Sequence, residues 1–179
     1  MPILTIPVKP YVKHYLNMAY GDPVVLTKNP RLNNFIRRAL KKPSSRYDNR
    51  YSKQFSKNFY AETIEIFISE DDFYRYGWEI TRTDTVAFNR EVEEIVKFFM
   101  RTFVAMYENF MQQKKAIIKF QDRFGFTEDI WSFDAIKKDY YRNSTNNRLQ
   151  LMPELLIKVE DFFLVKLSQI GTYSHLALK

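Results

Sequence analysis

KKAIIKFQDRFGFTEDIWSFDAIKKDYYRN, residues 114–143, is the stretch whose reading decides the fold. Ile117, Ile118, Phe120 and Phe124 recur at helical spacing and bury one side of a first short helix. Gly125 suits the left-handed conformation that closes such a helix. Phe126 and Trp131 anchor the connection to a core, Ser132 caps a second helix, and Phe133 and Ile136 turn inward. Asp134, Lys137, Lys138, Tyr141 and Arg142 are left pointing outward. A helix-turn-helix of this kind can lay its second helix in the DNA major groove. Two helices packed at a sharp angle can equally be part of a core and nothing more. The connection is longer than the three- or four-residue turn usual for the motif, which loosens the match.

Upstream, Asp84 or Thr85 opens the longest expected helix, from about residue 86 to 113. Phe88, Val92, Ile95, Val96, Phe99, Phe103, Met106 and Phe110 form its main apolar stripe. Phe98, Met100, Val104, Tyr107 and Met111 widen that stripe beyond one face, so the helix serves as the scaffold for its neighbours or as a dimer interface. A last helix, about 153–170, carries Leu156, Val159, Phe163, Leu167 and Ile170 and offers a second surface for a homodimer. Thr63–Ile68 alternates as a half-buried strand, and Ile3–Val8, with its prolines, reads as an edge strand. Val24–Leu26 reads as a third, short strand. Pro10 and Gly21 bracket one more helix, Asn29 and Pro30 open another, and Ser69 caps a short one that ends at Gly77. The expected fold is therefore α+β and mostly helical, with five or six helices around the 86–113 helix and a small sheet.

Charge is distributed unevenly around a net +7. Residues 1–58 hold 12 Lys/Arg against 2 Asp/Glu, whereas residues 59–100 hold 4 against 10. That asymmetry divides a basic N-terminal part, 1–58, from a helical core, 59–179, unless the two form one continuous domain. It suits a surface facing a polyanion, and a solvated basic loop explains it as well. Leu32, Phe35, Ile36 and Leu40 line the buried side of the helix that Pro30 opens. Arg37, Arg38, Lys41 and Lys42 lie off that stripe. Arg46 and Arg50 follow in SSRYDNRYSKQFSKNF, residues 44–59, where cations alternate with aromatics as in segments that neutralise phosphates and stack on bases. The candidate nucleic-acid contacts are thus Arg37, Arg38, Lys41, Lys42, Arg46, Arg50, Lys137, Lys138, Tyr141 and Arg142.

Catalysis finds little support in the residues. With no cysteine there is no thiolate metal site, disulfide or cysteine nucleophile. His14 and His175 are far apart and read as packing or surface residues. Four glycines, each at a helix end or turn, leave none for a phosphate-cradling loop. The acids Glu70, Asp71 and Asp72 sit where a helix start favours negative charge, a simpler reading than a metal cluster. The expectation is a non-enzyme without metal or cofactor. No apolar run is long enough to span a bilayer and no charged leader precedes one, so a soluble, cytoplasmic protein with no membrane partner is expected.

Three patterns together resemble small, mostly uncharacterised proteins of phages and mobile elements of gut Bacteroidetes. They are Ile6-Pro7-Val8 with Tyr11, Phe88-Asn89 with Val92-Glu93, and the late F-x-x-x-F-G-F…W-S-F-x-x-I-K-K-D-Y-Y-R of residues 120–142. The resemblance covers most of the chain and implies a phage or mobile-element accessory protein, such as a DNA-binding regulator in the host-cell cytoplasm. It carries over no catalytic residue. The expected partner is DNA, double-stranded by preference. The alternative is a non-enzymatic assembly or interaction protein, such as a phage structural or host-interacting factor.

Overall fold

The computed structural model of the 179-residue chain describes residues 2–42 and 60–144. Arg46, Arg50, the rest of segment 44–59 and the expected helix 153–170 lie outside the described residues. The chain forms two compact units, Met1–Lys137 and Lys138–Lys179.

The first unit is mostly helical, with one small sheet. β1 (Ile3–Val8) and β2 (Glu62–Phe67) pair antiparallel, from Ile3 opposite Phe67 to Val8 opposite Glu62. Alternation puts Leu4, Ile6 and Val8 of β1 and Ile64 and Ile66 of β2 in the core. Because this pairing joins residues from before and after position 58, the described residues 2–42 and 60–137 share one unit. The third expected strand shrinks to a single bridge. Val24 donates to the Glu65 carbonyl at 2.8 Å and accepts from the Phe67 amide at 3.0 Å. Pro23 has no N–H to extend the pairing, and a 3₁₀ turn at Leu26–Lys28 and the cap at Asn29 follow at once.

Six α-helices lie among the described residues: α1 (Pro10–Tyr20), α2 (Pro30–Ala39), α3 (Glu70–Tyr76), α4 (Arg82–Glu108), α5 (Gln113–Phe124) and α6 (Phe133–Ser144). Their starts follow local chemistry. The Asn29 side chain accepts from the Leu32 amide, Ser69 from Asp72 and Thr81 from Asp84, each satisfying an N–H that the helix itself leaves unmatched. α4 is the central helix and packs against α1, α2, α5 and β1. Phe88, Val92, Val96, Met100 and Val104 on it are fully buried. Burying such a side chain contributes roughly 1.5–3 kcal/mol each.

Two expectations about α4 need correcting. It starts at Arg82, earlier than position 86, because Thr81 rather than Asp84 or Thr85 is the cap. It stops at Glu108, and a turn through Asn109 and Phe110 separates it from α5. Phe110, counted on the apolar stripe, is 78 % exposed.

Candidate nucleic-acid interface

The helix-turn-helix-like element is α5, the connection 125–132 and α6. Gly125 closes α5 at φ 68°, and the Phe126 amide reaches back to the Gln121 carbonyl at 3.0 Å. The connection is held on both sides. The Gln121 side-chain amide donates to the Trp131 carbonyl at 2.9 Å, and Phe126 stacks on Phe120 with ring centres 5.1 Å apart. Trp131 in turn stacks on Tyr11 of α1 at 4.7 Å. His14 of α1 donates its Nε2 proton to the Phe124 carbonyl at 2.6 Å and sets its ring edge on Phe126. That accounts for His14 as a packing residue that also satisfies a helix-end carbonyl. The entry to α6 is capped twice. Glu128 accepts from the Phe133 amide at 2.9 Å, and Ser132 accepts from Ala135 at 3.3 Å.

Ile136 and Tyr140 of α6 are buried, whereas Asp134, Lys137, Lys138, Tyr141 and Arg142 are exposed. At about 100° per residue the five exposed side chains span an arc of about 140°, opposite the buried pair. Three cations and a phenol on one exposed arc can contact phosphates, guanine edges or thymine methyls. Phe133, expected inward, is half-buried, and Ile118 of α5, expected in the core, is 40 % exposed.

At the end of α2 the picture is mixed. Arg37 donates to Asp72 of α3 at 2.9 Å, and this hydrogen bond, followed by the charge of Asp72, raises the guanidinium pKa above its ordinary value. The Lys41 ammonium lies 3.3 Å from Asp84, and its backbone bridges to Glu79. Arg38 and Lys42 are exposed and have no ion pair among the described residues. Exposed pairs such as Arg37–Asp72 are worth little, so a polyanion can compete for these cations. Just past α3, Gly77 lets the chain run close to the backbone after α2, where a Cβ would lie 2.2 Å from the Lys41 carbonyl carbon and oxygen.

Sequence reasoning passed over a further set of cations on α5. Lys114, Lys115 and Arg123 are exposed, and Lys119 lies 4.2 Å from the centre of the Tyr107 ring. The available signal was the spacing of Lys115, Lys119 and Arg123 at i, i+4 and i+8, which stacks them on one face. Next to that face Ile118 and Met111 help line an open groove of about 460 Å³.

Among the described residues no helix is long and apolar enough to cross a membrane. No family model, curated protein or solved structure matches the chain.

Proposed function

We propose that this protein is a non-enzymatic nucleic-acid-binding factor, a DNA-binding accessory or regulator of a phage or mobile element. The observation that carries the reading is the exposed arc of α6, where Lys137, Lys138, Tyr141 and Arg142 stand together opposite buried Ile136 and Tyr140. α6 reads double-stranded DNA, and the cations at the end of α2 hold phosphates. Fluorescence anisotropy with labelled random duplex and single-stranded DNA tests this. If Lys137, Lys138 and Arg142 each neutralise a phosphate, affinity falls at least about 40-fold between about 50 and 200 mM salt, and further for each α2 cation that does the same. Lys137→Glu with Lys138→Glu removes most of that binding. Unchanged affinity in this double variant refutes the role given to α6.

A second reading, an assembly or interaction protein, has its own observation. Phe98, Phe110 and Ile118 on and between α4 and α5 are 56, 78 and 40 % exposed. Exposed apolar side chains beside charge are what a protein-docking surface offers. Size-exclusion chromatography with light scattering at micromolar concentration, together with pull-down, separates the readings. A stable monomer without a partner counts against the second.

A further inference from the structure

The face of α5 carries more positive charge than the helix itself can use. Gln112 gives no side-chain cap at its start, and no acid occupies its first turn, where Lys114 and Lys115 stand instead. Cations there oppose the helix dipole. Lys115, Lys119 and Arg123 then stack at i, i+4 and i+8, a like-charge ladder that weakens an isolated helix. Among the described residues, Lys114, Lys115, Asp122 and Arg123 have no ion pair. Departures from local rules of this kind concentrate where a protein meets something else.

The ladder does not stand on a polar surface. Met111, Lys115, Ile118, Lys119, Asp122 and Arg123 line the open groove of about 460 Å³, a volume in the range of ligand clefts. Exposed Phe110 precedes Met111 in the turn that leads into α5. Lys119 is held against Tyr107, so its charge stays at the groove rather than swinging free. A phosphate backbone answers the cations and gains nothing from Ile118 or Met111. An amphipathic helix with acidic flanks answers both, since its apolar ridge buries the floor while its carboxylates meet the ladder.

We infer that this groove docks an acidic amphipathic helix of a partner protein. The inference rests on the interaction reading and is independent of DNA binding through α6. The test uses the full chain and a fluorescent model peptide of about 20 residues, long enough to hold a helix, with Leu at i, i+3, i+4 and i+7 and Glu between. The controls are a scrambled peptide of the same composition and a peptide with Lys in place of Glu. The periodic acidic peptide is expected to bind saturably. Lys119→Glu with Arg123→Glu, and separately Ile118→Ser, should each weaken it about tenfold or more, the scale for losing buried or paired interface groups. All these positions are at least partly exposed, and circular dichroism melts check that the variants fold. Lys137→Glu with Lys138→Glu should leave peptide binding unchanged even as DNA binding is lost. Equal binding of the scrambled peptide would make the site a general polyanion surface and overturn the proposal. So would absence of saturable binding, or self-association of the chain that Ile118→Ser abolishes, which would make a second copy the occupant.

Discussion

Replacing Gly77 by alanine tests how the basic end of α2 is held. Gly77 sits at φ 110°, ψ −165°, a region open essentially to glycine alone, and forcing another residue into it costs about 1–3 kcal/mol. A Cβ there would also lie 2.2 Å from the Lys41 carbonyl and 2.3 Å from the Lys42 nitrogen, all backbone, so no side chain can swing aside. The two segments must part. Three hydrogen bonds cross between them: Lys41 N to Glu79 O at 2.8 Å, Trp78 N to Lys41 O at 3.2 Å and Glu79 N to Lys41 O at 3.1 Å. At about 1 kcal/mol net apiece, losing them adds about 3 kcal/mol to the conformational strain. The expected loss is about 4–6 kcal/mol, or a Tm lower by about 10–20 °C, a large part of a typical domain's stability. Gly21→Ala is the matched control. Its φ of 88° is strained in the same way, but the nearest atom to an added Cβ is the Pro23 oxygen at 3.8 Å. The strain alone should therefore cost about 1–3 kcal/mol. Urea and thermal unfolding followed by circular dichroism measure both variants. Equal losses would refute the claim that the approach of Gly77 to Lys41 is what matters.

Trp131→Ala removes the stack on Tyr11 and the contacts with Phe120 and Phe126, and should cost about 3–5 kcal/mol in the same unfolding assay. Fully buried Asn89 donates to the carbonyls of Pro7 and Thr85, both at 2.9 Å, so Asn89→Asp sets a carboxylate against two acceptors. Destabilisation by about 3–5 kcal/mol at neutral pH, partly recovered in acid, is expected from denaturant titrations at several pH values. Burial, and next the proximity of Tyr20, raises the pKa of Tyr15 well above its ordinary value, and burial raises that of Tyr60 as well. The unfolded chain then loses these protons first, so the stability they contribute is complete below about pH 10 and falls as the pH climbs further. An alkaline titration of phenolate absorbance should show Tyr15 ionising only together with loss of the helical signal. For α6, Arg142→Ala should lower the slope of log affinity against log salt by about 1 if that side chain holds a phosphate.

The legible parts of the fold were those written in neighbouring residues. Asn29 with Leu32, Ser69 with Asp72, Gly125 after Phe124 and the alternation of β2 all act within a few positions, and the structure has each of them in place. The break between α4 and α5 was not legible, because Phe103, Met106 and Phe110 continue the apolar period through a turn in which Phe110 faces solvent. Ile118 shows the same limit, since periodicity reports a face and not whether a neighbour covers it. At the candidate interface, exposure of Lys137, Lys138, Tyr141 and Arg142 followed from the helical period alone. The engagement of Arg37 by Asp72 and of Lys41 by Asp84 did not, because those partners are 35 and 43 residues away.

The pairing of β1 with β2 also sets an order of events. β1 leaves the ribosome before β2 and lacks this partner until Phe67 follows, with residues 9–61 emerging in between. A contact of such sequence separation forms late and slowly, because the chain must close a long loop before the contact returns anything. Meanwhile β1 is an unpaired apolar strand of the kind that recruits other chains. Pro2 and Pro7 flank and interrupt it, and the missing N–H of Pro7 leaves a gap in any foreign ladder. These two prolines make β1 a poor template for a foreign strand.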